Sequence, residues 1–228
     1  MMARVAVFFF DGDQGLWDFQ AMMRRALAAT IGELRRLRPG TGGDMSVEAF
    51  LTDREVVAER LRGRVTNLEH VRFEAFRQSL ARLRLRDDEL AAYLNEFYLQ
   101  RRFADVMFYN DVLPVLAELR RNHHVALLSN GNSYPKRLGL KDYFQAAVLS
   151  QEHGVEKPDC RIFDIASDLL PGEPRIMVGD SLANDIAEAQ AAGWTGVWLN
   201  REGAPSPKAV PDLTIRSLRE LLPIAKAL

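Results

Sequence analysis

Short runs of consecutive apolar residues, each closed by small polar ones, recur along this chain. Val5-Ala6-Val7-Phe8-Phe9-Phe10 runs into Asp11-Gly12-Asp13. Val125-Ala126-Leu127-Leu128 runs into Ser129-Asn130-Gly131, and Ile176-Met177-Val178 into Gly179-Asp180-Ser181. Runs this short, without alternation, predict strands buried on both faces, as in a parallel sheet. The pattern predicts strands over 4–10, 124–128, 146–150, 175–178, 196–199 and 212–215. Between them it predicts helices over 111–121, 135–140, 159–169, 182–192 and 217–222. Strand–helix alternation of this kind makes an α/β fold with a parallel sheet and helices on both faces.

The rhythm is different between residues 16 and 105. Apolar residues recur there at three- and four-residue spacing, which predicts helices over 17–38, 46–62, 67–83 and 87–103. The cluster Pro39-Gly40-Thr41-Gly42-Gly43 breaks the first from the second, and Gly63 and Thr66-Asn67 punctuate the next. This block reads as a small helical bundle inserted after the first strand. The expected division is therefore a core of 1–15 and 106–228 and a helical domain of 16–105. Residues 202–211 are rich in Pro and Ala and read as a surface loop.

Composition narrows the possible partners. Across 228 residues, 30 basic side chains meet 31 acidic ones, for a net charge of −1. No whole-molecule field draws such a chain to nucleic acid or to an anionic membrane. No apolar run approaches the length of a membrane span, and the first one ends in two carboxylates, unlike a signal peptide. A lone cysteine, Cys160, leaves no internal disulfide and fits a reducing compartment, so a cytoplasmic protein is expected. The histidines (His70, His123, His124 and His153) show neither metal-ligand spacing nor a nucleophile partner.

Candidate chemistry lies at the strand ends, because open α/β sheets bind ligands outside the carboxyl ends of their strands. Asp11 and Asp13 alternate onto the same side of the chain, where like carboxylates repel unless a cation or proton lies between them. Asp180 ends another buried run, with Asn184-Asp185 close behind. Together these acids suit Mg²⁺, a hard cation that takes one or two carboxylates and keeps waters. Ser129, Asn130 and Gly131 offer a hydroxyl and main-chain N–H groups to a phosphate. Lys157 precedes Pro158 in a chain where arginine outnumbers lysine, and its compact ammonium suits phosphate oxygens.

In this order the motifs resemble the haloacid dehalogenase superfamily: Asp11-x-Asp13, Ser129 after a hydrophobic strand, Lys157, and Gly179-Asp180-Ser181-x-x-Asn184-Asp185. The last continues as Ile186-x-x-Ala189-x-x-Ala192-Gly193-Trp194 and is the most specific. The resemblance covers essentially the whole chain. It implies a Rossmann-like core with a helical cap inserted after the first motif. It also implies that Asp11 attacks phosphorus and that Asp13 serves as general acid and then base. Mg²⁺ would be held by Asp11, the Asp13 carbonyl and Asp180. Ser129, the Asn130 amide and Lys157 would hold the transferring oxygens, with Asp185 and Asn184 behind them. The superfamily's dehalogenases lack the second Asp and use no Mg²⁺, so Asp13 favours phosphate chemistry.

The implied function is a Mg²⁺-dependent phosphatase of a small phosphorylated metabolite such as phosphoglycolate, a nucleotide or a sugar phosphate. The implied assembly is a monomer or homodimer. Trp17 and Phe19 are candidate pocket residues. A phosphomutase needs the same residues, and a weakly active binding protein is the other alternative. The latter rests on one departure: Gln14-Gly15 stand where the family carries Thr, less often Val, at the second position. Glycine there predicts a looser backbone and reduced turnover.

Overall fold

The computed structural model describes residues 5–40, 45–205 and 210–228. Arg4 of the first strand, residues 41–43 of the breaker cluster and residues 206–209 of the surface loop lie outside the described residues. The chain divides into two compact units, Met1–Asp18 with Phe108–Leu228, and Phe19–Met107.

The first unit is built on a six-stranded parallel sheet. Its strands are β1 (Val7–Phe10), β2 (His124–Ser129), β3 (Ala146–Leu149), β4 (Arg175–Gly179), β5 (Thr195–Leu199) and β6 (Leu213–Ile215). The spatial order is β3-β2-β1-β4-β5-β6, and every pairing is parallel. The order reverses direction at β1, which makes the end of β1 the switch point where such sheets bind ligands. Phe10 lies opposite Leu127 on β2 and Val178 on β4, so the three motif-bearing strands are immediate neighbours. The fold is the expected Rossmann-like α/β class.

All four residues of β1 are buried, because both sheet faces are covered. On one face Val7 and Phe9 join Ala126, Leu128 and Met177 under Ile162 and Phe163 of α7 (Arg161–Leu169) and under Ala189 of α8 (Ala187–Ala191). Trp194 packs on Phe9 with ring centroids 4.6 Å apart. On the other face Phe8 meets His123 edge-on. His123 Nδ1 accepts from the Ala6 N–H at 3.2 Å, so its Nε2 carries the proton and donates to Ala225 O in α9 (Leu221–Lys226). This histidine is structural.

One sequence expectation fails locally. Residues 135–140 form successive turns instead of a helix. Leu140 N reaches back to Pro135 O, and Gly139 at φ +72° stops any helical continuation. Residues 182–186 form a wide π-type turn before α8, with Ile186 N bonding Ser181 O five residues back. A short unforeseen helix, α6 (Ser150–His153), follows β3, and α5 (Val112–Leu119) precedes β2.

The second unit contains α1 (Phe19–Leu37), α2 (Val47–Leu61), α3 (Leu68–Arg82) and α4 (Asp88–Ala104). Ser46, Asn67 and Asp87 cap the last three, each accepting from first-turn amides. Leu27, Leu34, Phe50, Phe76, Leu94 and Tyr98 belong to its own core. Buried Asp53 is neutralised locally by Arg82 at 3.1 Å and by the Ser79 hydroxyl at 2.6 Å.

Arg72 is different. It is 5% exposed, its Nη1 has no hydrogen-bond partner, and among the described residues no carboxylate lies within ion-pair distance. Burial, with Arg102 and Arg54 nearby, pushes its guanidinium down to about 10, and the Tyr98 ring 4.7 Å away covers one face. An uncompensated buried charge destabilises a fold, and an apolar replacement of similar length removes that cost. Arg72→Met is therefore expected to raise stability by about 1–2 kcal/mol in urea unfolding.

Candidate active site

The sheet order brings the three polar strand ends together. Asp11 follows β1 directly, and its N–H bonds Val178 O at 2.9 Å, which ties the loop to β4. Ser129 ends β2, and Asp180 follows Gly179 at the end of β4. Asp11, Asp13, Ser129, Asn130, Lys157, Asp180, Asn184 and Asp185 all line one cavity of about 230 Å³.

Lys157 is its electrostatic centre. The ammonium donates to Asp11 Oδ1 at 2.7 Å, Asp185 Oδ1 at 2.6 Å and Leu128 O at 2.9 Å, so all three N–H groups are used. Burial works against the charged form, but Asp11 and Asp185 outweigh it and hold the ammonium firmly protonated. Asn130 places this lysine. Its side-chain oxygen accepts from Lys157 N at 2.7 Å and its amide donates to Lys157 O at 2.8 Å. Ser150, at the start of α6, in turn donates to Asn130 O. The Asn130 side chain is thus spent on the main chain of Lys157.

The π-type turn decides where Asp185 goes. Asp185 Oδ2 accepts from Ser181 N at 3.0 Å while Oδ1 meets Lys157. A Cβ on residue 179 would come within 2.2 Å of Asp185 Oδ2, so glycine is required there. Wide turns of this type recur at functional sites, where they re-aim a side chain.

Carboxylate oxygens of Asp11, Asp180 and Asp185 lie within 4.8 Å of one another. Burial raises Asp11 well above the ordinary carboxylate range, against the pull of Lys157, and burial plus Asp185 pushes Asp180 up to about 6. Asp11, Asp13, Asp180 and Asp185 line the cavity with one lysine, whose ammonium pairs only with Asp11 and Asp185, so the acids are short of positive charge. A hard, all-oxygen donor set with excess negative charge fits Mg²⁺. Both Asp185 oxygens are already engaged by Lys157 and Ser181, which sets it behind Asp11 and Asp180 for such an ion.

Trp17 lies beside Asp13. It is fully buried, and its indole N–H donates to Asp13 Oδ1 at 2.8 Å. Its ring passes so close to Gly12 that a Cβ there would lie 2.4 Å from Trp17 Cη2. Ser133 adds a longer contact to Asp13 Oδ1, at 3.4 Å. Ser129 Oγ accepts from Gly131 N at 3.1 Å, which turns its hydroxyl proton away from that amide. Phe19 opens α1 in the helical unit, where the Arg102 guanidinium lies 5.6 Å from its ring centroid.

Gly15 is not the loose point expected of it. A Cβ would approach Asp11 O to 2.7 Å, and the Gly15 carbonyl accepts from Arg201 Nη2 at 2.9 Å and Nε at 3.2 Å. Arg201 thus holds the backbone at the Gly15 carbonyl. Arg201 and Ser133 are the neighbours of this loop that sequence reading missed. Arg201 had a usable signal, since Asn200-Arg201 follows a buried strand just as the other polar motifs do.

These features define a hydrolase of the α/β class. A family model described as haloacid dehalogenase-like hydrolase matches residues 5–193, and the chain belongs to that family. It is 29% identical to the pyrimidine 5'-nucleotidase YjjG of Escherichia coli (strain K12), over 93% of this chain and 94% of that one. It is 33% identical to a phosphoserine phosphatase of Thermus thermophilus, over 69% and 66%. Among solved structures, a 2-haloacid dehalogenase from Pseudomonas syringae pv. Tomato superposes with a TM-score of 0.82 at 27% identity, over 98% of both chains.

Proposed function

We propose that this hydrolase is a Mg²⁺-dependent phosphatase of a small phosphorylated metabolite, acting through an aspartyl-phosphate on Asp11. The observation that carries the reading is Asp13. It shares the cavity with Asp11 and is oriented by the Trp17 indole. Haloalkanoate cleavage releases halide, which needs no proton, whereas an alkoxide leaving group does. The nucleotidase and phosphoserine phosphatase relatives support the same choice, although the superposed dehalogenase shares the fold.

In this mechanism an Asp11 oxygen attacks phosphorus as the bond to the leaving oxygen breaks. Asp13 gives that oxygen its proton. Asp13 then takes a proton from water, the water oxygen attacks phosphorus, and the Asp11–phosphorus bond breaks to release inorganic phosphate. Lys157, Ser129 Oγ and the Asn130 main-chain N–H hold the non-reacting oxygens. Asp11, the Asp13 carbonyl and Asp180 would hold Mg²⁺, which supplies neutralisation of the phosphoryl charge when bound. The helical unit is the cap in this reading, and its side chains select the substrate.

The test is phosphate release from a panel of phosphorylated acids, nucleotides and sugars, with Mg²⁺ and with EDTA. Release that requires Mg²⁺ supports the reading. Chloride release from 2-chloropropionate without phosphate release replaces it with a dehalogenase. A need for a bisphosphate activator replaces it with a mutase.

Trp17→Phe keeps a buried aromatic ring but loses the N–H to Asp13, together with the smaller ring of the indole. A hydrogen bond to a charged group contributes roughly 1.5–3 kcal/mol, so kcat is expected to fall by about tenfold or more. KM should stay near the wild-type value, as steady-state kinetics would show.

A further inference from the structure

Arg201 follows β5 through Asn200 and is used on every edge. Nη1 and Nη2 each meet one oxygen of Asp111 at 3.0 Å, a bidentate pair. Nη2 and Nε also donate to Gly15 O. One face of the guanidinium lies 4.1 Å from the Tyr109 ring centroid. Asp111 is 1% exposed and also accepts from Ser217 Oγ and Leu218 N, both at 2.8 Å. Burial opposes its charge, but these donors hold its carboxyl below the usual range. The guanidinium is therefore anchored on a buried carboxylate, with its remaining reach directed at one carbonyl.

That carbonyl belongs to the loop that carries the proposed reaction. From Asp11 to Trp17 the chain is closed by Leu16 N to Gly12 O at 2.8 Å and by Gln14 N to Trp17 O at 2.9 Å. Gln14 is held at φ +62°, a conformation that non-glycine residues rarely adopt. Gly15 has no side chain with which to anchor the loop, and an added Cβ would lie 2.7 Å from Asp11 O. Tyr109 N bonds Leu16 O at 3.2 Å, so Arg201 ties the outgoing segment at Gly15 to the returning segment at Tyr109 and Asp111.

We propose that Arg201 is a positioning residue. By holding the Gly15 carbonyl on a support anchored at Asp111, it fixes the Asp11–Trp17 loop, and through it the relative placement of Asp11 and Asp13. It touches no substrate. The catalytic consequence rests on the phosphatase reading, whereas the loop consequence does not.

The test is Arg201→Lys. Lysine keeps a positive charge beside Asp111 but has no planar fork to reach Gly15 O as well. A displacement of about 1 Å in reacting groups costs on the order of 100-fold, so kcat should fall roughly 10- to 100-fold with KM within about threefold. Hydrogen exchange of the substrate-free protein should quicken at least about tenfold in a peptide spanning 11–17, while peptides of β2 and β4 keep their protection. Asp111→Asn, which weakens the anchor, should move both readouts in the same direction by less, and it serves if Arg201→Lys does not fold. Unchanged exchange in 11–17 overturns the proposal. So does a rise in KM alone, which would mean direct substrate contact, or faster exchange throughout the core unit, which would mean general loosening. If the wild type releases no phosphate from any compound, the phosphatase reading fails and the exchange result alone decides the loop role.

Discussion

Asp11→Asn is expected to abolish phosphate release while leaving the fold intact. Asparagine has nearly the same size and shape, so the contact with Lys157 is kept in part. Its amide oxygen can accept from the ammonium that now lies 2.7 Å from Asp11 Oδ1. The substitution also removes one negative charge from a buried cluster in which Asp11, Asp180 and Asp185 crowd within 4.8 Å. Relief of that repulsion makes the variant as stable as the wild type or more so. What it lacks is a nucleophilic oxygen, and losses on removing a covalent nucleophile reach about 10⁴-fold or more in kcat. Phosphate assays paired with thermal unfolding separate the two effects. Activity within tenfold of wild type would end the aspartyl-phosphate mechanism, whatever the stability.

Lys157→Met is expected to lose both activity and stability. The side chain is 1% exposed and is the ammonium bonded to Asp11 and Asp185, whose side chains are 12% and 2% exposed. Methionine is one atom shorter, keeps the apolar stem and leaves those carboxylates without their counter-ion. Breaking a buried pair by removing one partner costs roughly 3–5 kcal/mol, because the remaining charge is left uncompensated. Leu128 O loses a donor as well. Added Mg²⁺ should restore part of the stability, because it supplies positive charge to the same oxygens. Urea unfolding with and without Mg²⁺, alongside the phosphate assay, measures each component. A variant as stable as the wild type in EDTA would mean that the cluster does not depend on this lysine.

The contrast between these two sites and their supports shows what could be read in advance. Strand ends were legible because a parallel sheet demands consecutive apolar residues, and the polar residues that stop each run stand out against them. Asp11, Ser129 and Asp180 were found that way. The helical insert was legible through its 3.6-residue spacing, and the predicted starts at 46, 67 and 87 are where Ser46, Asn67 and Asp87 cap the helices. The failure at 135–140 has a local cause, since a left-handed Gly139 outweighs the helix preference of so short a segment.

The supports were not legible, because each depends on groups far apart in the chain. Asn130 spends its side chain on the backbone of a residue 27 positions away, and Arg201 reaches Gly15 across 186. Trp17 was legible as an aromatic near the site but not as a donor to Asp13, since its ring direction follows from the close approach at Gly12. The reading of Gly15 as loose took glycine's intrinsic freedom as decisive. Arg201 restrains that freedom by holding the Gly15 carbonyl.

By itself, then, the amino-acid order determined the α/β class, the inserted helical block and the chemical types gathered at the strand ends, because periodicity and chain punctuation are local properties. The tertiary structure alone decided which oxygens Lys157 neutralises, how a π-type turn sends Asp185 back to it, and what holds the loop that carries Asp11 and Asp13. Those are matters of distance between segments that the order β3-β2-β1-β4-β5-β6 brings side by side, and distance is what a linear pattern does not contain.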